Sequence, residues 1–194
     1  MIFFPKKVSS IVLDRDGVIN IETGCYVKSI EEWQPIESSL KAIGELYQAG
    51  LKVFVATNQS GIAQGLYDCS MLEAIHEKMH AAIQDYGGKV EAIVYCPHVD
   101  SDGCDCRKPK PGLLHQLVEK HGVELDNAVM VGDSVRDIEA SLAAGCYPVL
   151  VKSGHASVDM LVDRLGGLAE QIPVYNDLAA FVAYFLENKS FSDQ

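Results

Sequence analysis

The sequence predicts an α/β protein built as a three-layer sandwich, with a central parallel sheet between two layers of helices. Three observations support this prediction. Short apolar runs alternate along the chain with longer amphipathic segments, which is the pattern of strands and helices in a parallel sheet covered on both faces. Glycine follows four of the amphipathic segments, where helices commonly end. The 194 residues, 48% of them hydrophobic, suffice for one domain with its own core.

The predicted elements follow one another in a regular order. The apolar runs are short, so we interpret them as buried strands, at residues 8–14, 51–58, 91–96, 127–133, 147–152 and 172–175. The segments between and after them carry apolar residues at helical spacing, which predicts helices at residues 38–49, 68–86, 111–121, 135–144, 158–165 and 177–187. Four of these helices are followed by Gly50, Gly87-Gly88, Gly122 and Gly145. This alternation is typical of a Rossmann-like sandwich.

We expect a single domain over residues 1–194. The sequence has no internal repeat, no low-complexity tract and no linker rich in Pro, Gly or Ser. Residues 188–194 are terminal and mostly polar, so they are predicted to form a loose tail.

The composition excludes several classes of partner. The formal net charge is −11, which argues against a nucleic-acid-binding protein and against docking on an anionic membrane. The apolar run at residues 11–13 is far too short for a secretion signal, so we expect a cytoplasmic protein, by default a monomer. One segment, Arg107 to Lys110, is basic. A basic segment in an acidic chain suggests that the ligand is an anionic small molecule.

Polar clusters stand directly after three of the predicted strands. Asp14-Arg15-Asp16-Gly17 follows the first strand, Thr57-Asn58-Gln59-Ser60-Gly61 ends the second, and Gly132-Asp133-Ser134 ends the fourth. Because the carboxyl ends of parallel strands share one edge, these residues are expected to meet in one crevice. Carboxylates gathered there would repel one another unless a cation lay among them, and carboxylate and carbonyl oxygens are the ligands that Mg²⁺ prefers.

This set of residues is suited to phosphoryl transfer. A carboxylate beside Mg²⁺, here Asp14, can attack phosphorus and form an aspartyl-phosphate. A second carboxylate two residues on, Asp16, can donate a proton to the leaving oxygen and later take one from water. Thr57 and Lys108 would supply donors and positive charge around the phosphoryl group. The alternative is that each aspartate only stabilises a loop or caps a helix, but three clusters together with a basic segment favour a site.

The motifs resemble those of the haloacid dehalogenase-like phosphohydrolases. The matching stretches, in the family's order, are Asp14-Arg15-Asp16-Gly17-Val18-Ile19-Asn20, Thr57-Asn58-Gln59, Lys108 and Gly132-Asp133-Ser134-Val135-Arg136-Asp137. The resemblance implies that Asp14 is the nucleophile and Asp16 the general acid and base. It also implies that Mg²⁺ is bound by Asp14, the backbone carbonyl of Asp16, and Asp133, with Asp137 directly behind these ligands.

A cysteine–histidine cluster precedes the basic segment, in a loop spanning residues 96–106. Cys96, His98, Cys104 and Cys106 lie within eleven positions. Three thiolates and an imidazole form the closed tetrahedral set of a structural zinc site, so we expect Zn²⁺ to stabilise this loop and to orient Arg107 and Lys108. The alternative is a chance cluster of buried thiols beside a loop histidine.

A second possible metal motif is better explained by helix packing. His76-Glu77-Lys78-Met79-His80 matches the zinc-protease signature H-E-x-x-H on a predicted helix. The helix is amphipathic and no third ligand follows at a recognisable spacing, so we expect both histidines to flank its buried face.

About forty residues separate Asp16 from Thr57 and about fifty separate Thr57 from Lys108, which leaves no room for a large cap domain. Within the superfamily, the chain is similar to the capless branch with a zinc loop, which acts on heptose bisphosphate and on histidinol phosphate. This resemblance implies a phosphorylated sugar as substrate, loss of its C7 phosphate, and a place in lipopolysaccharide biosynthesis. The residues implied to bind substrate are Arg15, Glu22, Tyr26, Asn58, Gln59, Ser60, Arg107 and Lys108, with Arg107 and Lys108 also counted among the catalytic residues.

Three alternatives remain at this point. Histidinol phosphate could be the substrate, with the same chemistry. A phospho-acceptor signalling domain would share the aspartate, threonine and lysine, but it has no use for a general acid at Asp16. A zinc-ribbon module that binds nucleic acid conflicts with the net charge of −11.

Overall fold

The computed structural model describes residues 7–154 and 158–189. Six strands form one parallel sheet with the order β3-β2-β1-β4-β5-β6. The strands are β1 (Ser10–Leu13), β2 (Lys52–Asn58), β3 (Ala92–Cys96), β4 (Ala128–Gly132), β5 (Tyr147–Val151) and β6 (Val174–Tyr175). The helices are α1 (Glu37–Gln48), α2 (Cys69–Asp85), α3 (Gly112–His121), α4 (Val135–Ala144), α5 (Val158–Leu165) and α6 (Leu178–Lys189). Short 3₁₀ turns lie at Asp100–Asp102, Leu125–Asn127 and Gly166–Gln171.

Alternate strand residues divide the core into two faces. Ile11 and Leu13 point to the face covered by α1, α2 and α6, where Phe181 also packs. Val12 points to the opposite face, where it packs with Leu117 of α3. Because both faces of each central strand are buried, the strands read as continuous apolar runs. The predicted three-layer sandwich is confirmed.

The chain starts in the middle of the sheet. Strand β1 pairs with β2 on one side and with β4 on the other, with Leu13 aligned to both Val55 and Val131. The direction of winding reverses at β1, so a crevice opens at the carboxyl ends of β1 and β4, where α/β proteins bind ligands. The connections from β1 to β2 and from β2 to β3 each contain one α-helix, so the fold carries no large cap, as predicted.

The predicted element ends are accurate to within two residues. Strand β1 begins at Ser10 rather than at Val8, although Ser9 already bonds to the backbone of Asn127 and Lys52. At the other end, α6 continues through Lys189, where the amide of Asn188 donates to the carbonyl of Tyr184 at 2.7 Å. The predicted loose tail over residues 188–194 is therefore wrong for its first two residues, and residues 190–194 lie outside the described part of the chain. No helix among the described residues is long and apolar enough to cross a membrane.

Candidate active site

The three polar clusters meet at the carboxyl edge of the sheet. Asp14 follows β1 directly, and its backbone amide donates to the carbonyl of Val131 in the neighbouring strand at 2.9 Å. Thr57 lies near the end of β2 and is fully buried. Asp133 follows β4 and is 5% exposed. Residues that are more than a hundred positions apart in the sequence thus share one crevice.

Lys108 provides the positive charge at the centre of the crevice. Its ammonium lies 2.9 Å from Asp14 Oδ2 and 2.6 Å from Asp137 Oδ1, and it donates to the carbonyl of Ala56 at 2.8 Å. The contact with Asp137 Oδ1 is an ion pair and not a well-directed hydrogen bond. Burial favours the neutral amine, but the two carboxylates outweigh it and raise the pKa of Lys108. Lys108 is therefore a fixed cation with almost no exposed surface.

The carboxylates around Lys108 suit a divalent cation. Asp14, Asp133 and Asp137 can each place an oxygen within 4.8 Å of the others, and one ammonium balances only part of their charge. Burial raises the pKa of Asp14 to about 7, although Lys108 opposes this effect. A cation beside Asp14 would favour its ionised form. The donor set therefore fits Mg²⁺ chemically.

Glycine makes room for the Asp133 carboxylate. A Cβ at either Gly17 or Gly154 would overlap the Asp133 carboxylate, and Gly17 also has a positive φ of 77°. Asp137 is held from another direction, because its Oδ2 accepts hydrogen bonds from the amide and hydroxyl of Ser134 at 3.0 and 2.5 Å. These bonds cap α4, so the first turn of this helix positions Asp137 behind Lys108.

Asp16 is surrounded by donors. Arg15 donates to both of its oxygens at 2.9 Å, Asn20 donates to Oδ1 at 2.9 Å, and Gln59 donates to Oδ2 at 2.9 Å. Burial alone would favour the neutral acid, but Arg15 and the hydrogen bonds outweigh it and lower the pKa of Asp16. Arg15, which was predicted to bind substrate, is 1% exposed, and its guanidinium is paired with Asp16.

Two residues behind Asp16 and Gln59 were not predicted from the sequence. Asn20 also accepts a hydrogen bond from the indole of Trp33 at 3.1 Å, and Tyr67 donates to the side-chain oxygen of Gln59 at 2.6 Å. Asn20 could have been noticed, because it stands four residues after Asp16 in the motif. No sequence motif predicts that Tyr67 contacts Gln59.

The side chains of Asn58 and Thr57 form hydrogen bonds with other residues of the protein. The side chain of Asn58 bonds to the backbone of Lys108 twice, donating to its carbonyl at 3.0 Å and accepting from its amide at 3.1 Å. The Thr57 hydroxyl accepts from Gln59 at 2.9 Å. Asn58, predicted to bind substrate, therefore anchors the segment that carries Lys108.

The cysteine–histidine cluster also comes together. The Sγ atoms of Cys96, Cys104 and Cys106 lie 3.0 to 3.6 Å apart, and His98 Nδ1 is 3.6 Å from Cys96 Sγ and 3.4 Å from Cys106 Sγ. A tetrahedron with Zn–S bonds of 2.3 Å places its sulfurs about 3.8 Å apart, so the spacing is close to that of a zinc site. Although partial burial opposes ionisation, the backbone amide of Arg107 and the neighbouring thiols lower the pKa of Cys104 to about 7. The donor set fits zinc.

The loop that carries this cluster orients Arg107. The guanidinium of Arg107 forms an ion pair with Asp100 and donates to the carbonyl of His98 at 3.1 Å. Lys110 closes the loop by donating to the carbonyls of Gly103 and Cys104 at 3.1 and 2.7 Å.

A cavity of about 260 Å³ opens in front of Asp16. Tyr26 stands at its mouth, where the phenol accepts from Gln64 at 2.6 Å and lies 3.4 Å from the Ser60 hydroxyl. Tyr26 has a φ of 62°, which is rare for a residue other than glycine. The other lining residues include most of the predicted substrate contacts, namely Glu22, Asn58, Gln59, Ser60 and Arg107, together with Arg136.

A larger cavity of about 650 Å³ lies between α4 and α5. Arg136 borders both cavities. Asp16 and the motif residues Asn58 and Gln59 line the smaller cavity and not the larger one, so we place the reaction at the smaller cavity.

The H-E-x-x-H motif is part of the packing of α2. His76 is 8% exposed, and its Nε2 lies 3.5 Å from the Arg15 guanidinium. Burial and the neighbouring Arg15 lower the pKa of His76 to about 3. His80 is only partly buried, and neither histidine belongs to a possible metal cluster among the described residues. His80 flanks the buried face of α2, as predicted, whereas His76 belongs to that face.

Similarity to known proteins assigns the chain to one family. A HAD-hydrolase-like family model matches residues 105–180. The chain is 51% identical over 180 residues to the D-glycero-beta-D-manno-heptose-1,7-bisphosphate 7-phosphatase of Pseudomonas aeruginosa, covering 92% of this chain and 98% of that protein. It is 40% identical to the same enzyme of Neisseria meningitidis, with coverages of 93% and 96%.

A solved structure agrees with these sequence matches. The D,D-heptose 1,7-bisphosphate phosphatase of B. bronchiseptica, crystallised with magnesium and phosphate, superposes with a TM-score of 0.86 at 46% identity. The match covers 93% of this chain and 99% of that one. The chain therefore belongs to the haloacid dehalogenase-like phosphatases, in the family of the D-glycero-beta-D-manno-heptose-1,7-bisphosphate 7-phosphatases.

Proposed function

We propose that this protein is a Mg²⁺-dependent phosphomonoesterase that removes the C7 phosphate of D-glycero-D-manno-heptose 1,7-bisphosphate. The substrate assignment is supported by the names of the relatives at 40 to 51% identity. The observation that carries the chemistry is the placement of Asp14 in the crevice, between the backbone amide of Arg15 at 2.7 Å and the ammonium of Lys108 at 2.9 Å. The product would supply nucleotide-heptose for the lipopolysaccharide core.

The first step forms a phosphoryl-enzyme. A carboxylate oxygen of Asp14 attacks the phosphorus while the bond from phosphorus to the C7 oxygen breaks. Asp16 gives its proton to that leaving oxygen. The free protein favours ionised Asp16, but a bound phosphate dianion raises the pKa of a nearby carboxyl group and so promotes its protonation. Lys108 balances charge on the transferring group, and the Thr57 hydroxyl, which accepts a hydrogen bond from Gln59, donates to the same group.

The second step regenerates Asp14. Asp16, now ionised, takes a proton from water, and the water oxygen attacks phosphorus. The bond from phosphorus to the Asp14 oxygen breaks and inorganic phosphate leaves. Asp14, Asp133 and the Asp16 carbonyl would hold Mg²⁺, with Asp137 beside them, and the cation would neutralise charge on the phosphoryl oxygens. The side chains of the protein bind and orient the substrate, and Asp16 moves the protons.

The decisive assay measures phosphate release from heptose 1,7-bisphosphate and from histidinol phosphate by the purified protein. We expect faster turnover of the heptose substrate, complete dependence on Mg²⁺, and a loss of at least about 1,000-fold in kcat for Asp14→Asn. Asp126→Asn is the matched control, because Asp126 is exposed before β4, at the opposite edge of the sheet. Faster hydrolysis of histidinol phosphate would refute the substrate, and activity surviving in Asp14→Asn would refute the covalent mechanism.

We further propose that Zn²⁺ binds Cys96, His98, Cys104 and Cys106 and has a structural role. The four side chains would complete a tetrahedral shell, which leaves no position for a reacting water. The short sulfur–sulfur distances and the attachment of Arg107 to this loop support the assignment.

We infer that the protein acts in the cytoplasm as a monomer that binds neither nucleic acid nor membranes. All six cysteines lie in the described part of the chain and none forms a disulfide, which suits a reducing compartment. The net charge of −11 opposes association of like copies and binding to polyanions. Size-exclusion chromatography with light scattering would test the monomer directly.

A further inference from the structure

The cavity in front of Asp16 carries a net positive charge in an acidic protein. Its charged lining residues are three arginines and two carboxylates, namely Arg15, Arg107, Arg136, Asp16 and Glu22. Two of these arginines are already paired with carboxylates. Arg15 binds Asp16 through both oxygens, and Arg107 forms an ion pair with Asp100.

Arg136 is the exception. It is exposed, and no hydrogen bond or ion pair ties its guanidinium to any residue in the ranges 7–154 and 158–189. Its backbone is nonetheless fixed, because it lies in the first turn of α4, one residue before Asp137. A rigid helix therefore presents an uncompensated cation at the edge of the cavity, next to the residues of the reaction.

The charge of Arg136 acts on groups across the cavity. Hydrogen bonds with Ser60 and Gln64 lower the pKa of Tyr26, and the positive charges of Arg107 and Arg136 lower it further. The pKa of Asp100, which pairs with Arg107 and lines the larger cavity, is lowered first by Arg107 and in addition by Arg136. Arg136 thus lies within electrostatic reach of Tyr26 at the mouth of the smaller cavity and of the ion pair that holds Arg107.

We propose that Arg136 is a specificity-determining residue that binds the second, non-reacting phosphate of a bisphosphate substrate. This inference rests on the proposed function. A phosphate monoester carries between one and two negative charges at neutral pH. Arg107 alone is poorly suited to balance them, because Asp100 already compensates its charge. Arg136 supplies the missing positive charge, and its planar guanidinium can donate two hydrogen bonds to phosphate oxygens.

A pair of substrates that differ only in the second phosphate tests this role. We would measure kcat and KM for heptose 1,7-bisphosphate and for heptose 7-phosphate with the wild type, Arg136→Ala, Arg136→Gln and Arg136→Lys. In the Ala and Gln variants, the ratio of kcat/KM between bisphosphate and monophosphate should fall about 10- to 100-fold, mainly through KM. Arg136→Lys should recover part of this ratio, because it restores the charge without the fork of donors.

Arg164→Ala is the matched control. Arg164 borders only the larger cavity and pairs with Glu139 at 2.7 Å, so its removal should leave the ratio unchanged. An equal loss on both substrates in the Arg136 variants would overturn the inference, as would an unchanged ratio or a wild type without preference for the bisphosphate. A wild type that releases phosphate from neither substrate would instead refute the proposed function.

Discussion

Two glycines determine where the Asp133 carboxylate can lie. A methyl group at Gly154 would overlap Asp133 Oδ2, and the backbone there has no positive φ. Substitution of Gly154 therefore tests packing without a conformational penalty. Gly167 offers a comparison, because a Cβ at that position meets no atom within 4 Å and its φ is also not positive.

We predict that Gly154→Ala weakens magnesium activation. The added methyl group should displace the Asp133 carboxylate and raise the Mg²⁺ concentration required for half-maximal activity by about 10-fold or more, since disturbed support of a ligand commonly costs that much in metal affinity. Gly167→Ala should behave as the wild type. Magnesium titrations of phosphate release would measure the difference, and equal curves for both variants would contradict this account of Asp133.

Some contacts of the candidate site cannot be predicted from the motifs. The order of motifs along the chain was sufficient to identify Asp14, Asp16 and Lys108 as candidates. The motifs could not show that the Arg15 side chain binds Asp16 or that Asn58 binds the backbone of Lys108. The direction of a side chain depends on neighbours that are distant in sequence, so a polar residue in a motif is equally compatible with contacting substrate or protein.

At the level of elements, the loop between β3 and α3 carries both the proposed zinc ligands and Arg107, a proposed substrate contact. Cys96 ends β3, and the segment then passes through the 3₁₀ turn Asp100–Asp102 to Cys104 and Cys106. Arg107 follows directly and is tied back to the loop at His98. A loop with so few apolar residues requires a metal or many hydrogen bonds to hold one conformation.

We predict that the protein contains one zinc per chain and that Cys104→Ser loses it. The variant should melt at least about 5 °C below the wild type, because a structural metal contributes directly to the free energy of folding. It should also show a raised KM, since Arg107 loses its support. Cys69→Ser is the control, because Cys69 is an exposed thiol outside the cluster. Mass spectrometry of the native protein and thermal unfolding would provide the measurements, and equal melting temperatures would argue against a structural zinc.

Regular elements were easier to predict than the turns between them. All six strands and six helices were expected within two residues of their ends, because apolar spacing and glycine at helix ends are strong local signals. The three 3₁₀ turns, such as Gly166–Gln171, were missed. A turn of three to six residues is too short for a periodic pattern and depends on tertiary packing.

For the whole molecule, buried His76 couples stability to pH. Its pKa is lowered to about 3 in the folded protein, chiefly by burial, against 6.5 for an ordinary histidine. A group whose pKa is lowered on folding stabilises the fold fully above its unfolded pKa. That contribution is lost as the pH falls from 6.5 towards 3, because the unfolded chain takes up the proton first.

We predict that His76→Gln reduces the acid sensitivity of the fold. Between pH 6.5 and pH 5, the free energy of unfolding of the wild type should fall by about 2 kcal/mol more than that of the variant. Glutamine keeps a polar side chain near Arg15 but does not titrate. Urea unfolding at several pH values would measure the difference. His80→Gln is the comparison, because His80 is less buried, and parallel pH profiles for wild type and His76→Gln would exclude this role.

For the whole molecule, the net charge of −11 argues against polyanionic partners, but it contains no information about the local distribution of charge. Arg136 illustrates the point, because the motif that contains it does not by itself indicate a role for its side chain. Its significance emerges only from the pairing of every other arginine in the cavity. Charge compensation is a property of the folded molecule and cannot be read from composition.

The hydrogen bond between Trp33 and Asn20 has an optical consequence. Trp33 is the chain's single tryptophan, it is 1% exposed, and Asn20 connects its indole directly to Asp16. The ammonium of Lys78 also lies 5.5 Å from the centre of its ring. All indole emission of this protein therefore originates one side chain away from Asp16, the proposed general acid. We expect tryptophan fluorescence to respond to events at the active site, so that substrate arrival and phosphate departure can be timed in a stopped-flow instrument without attaching a dye.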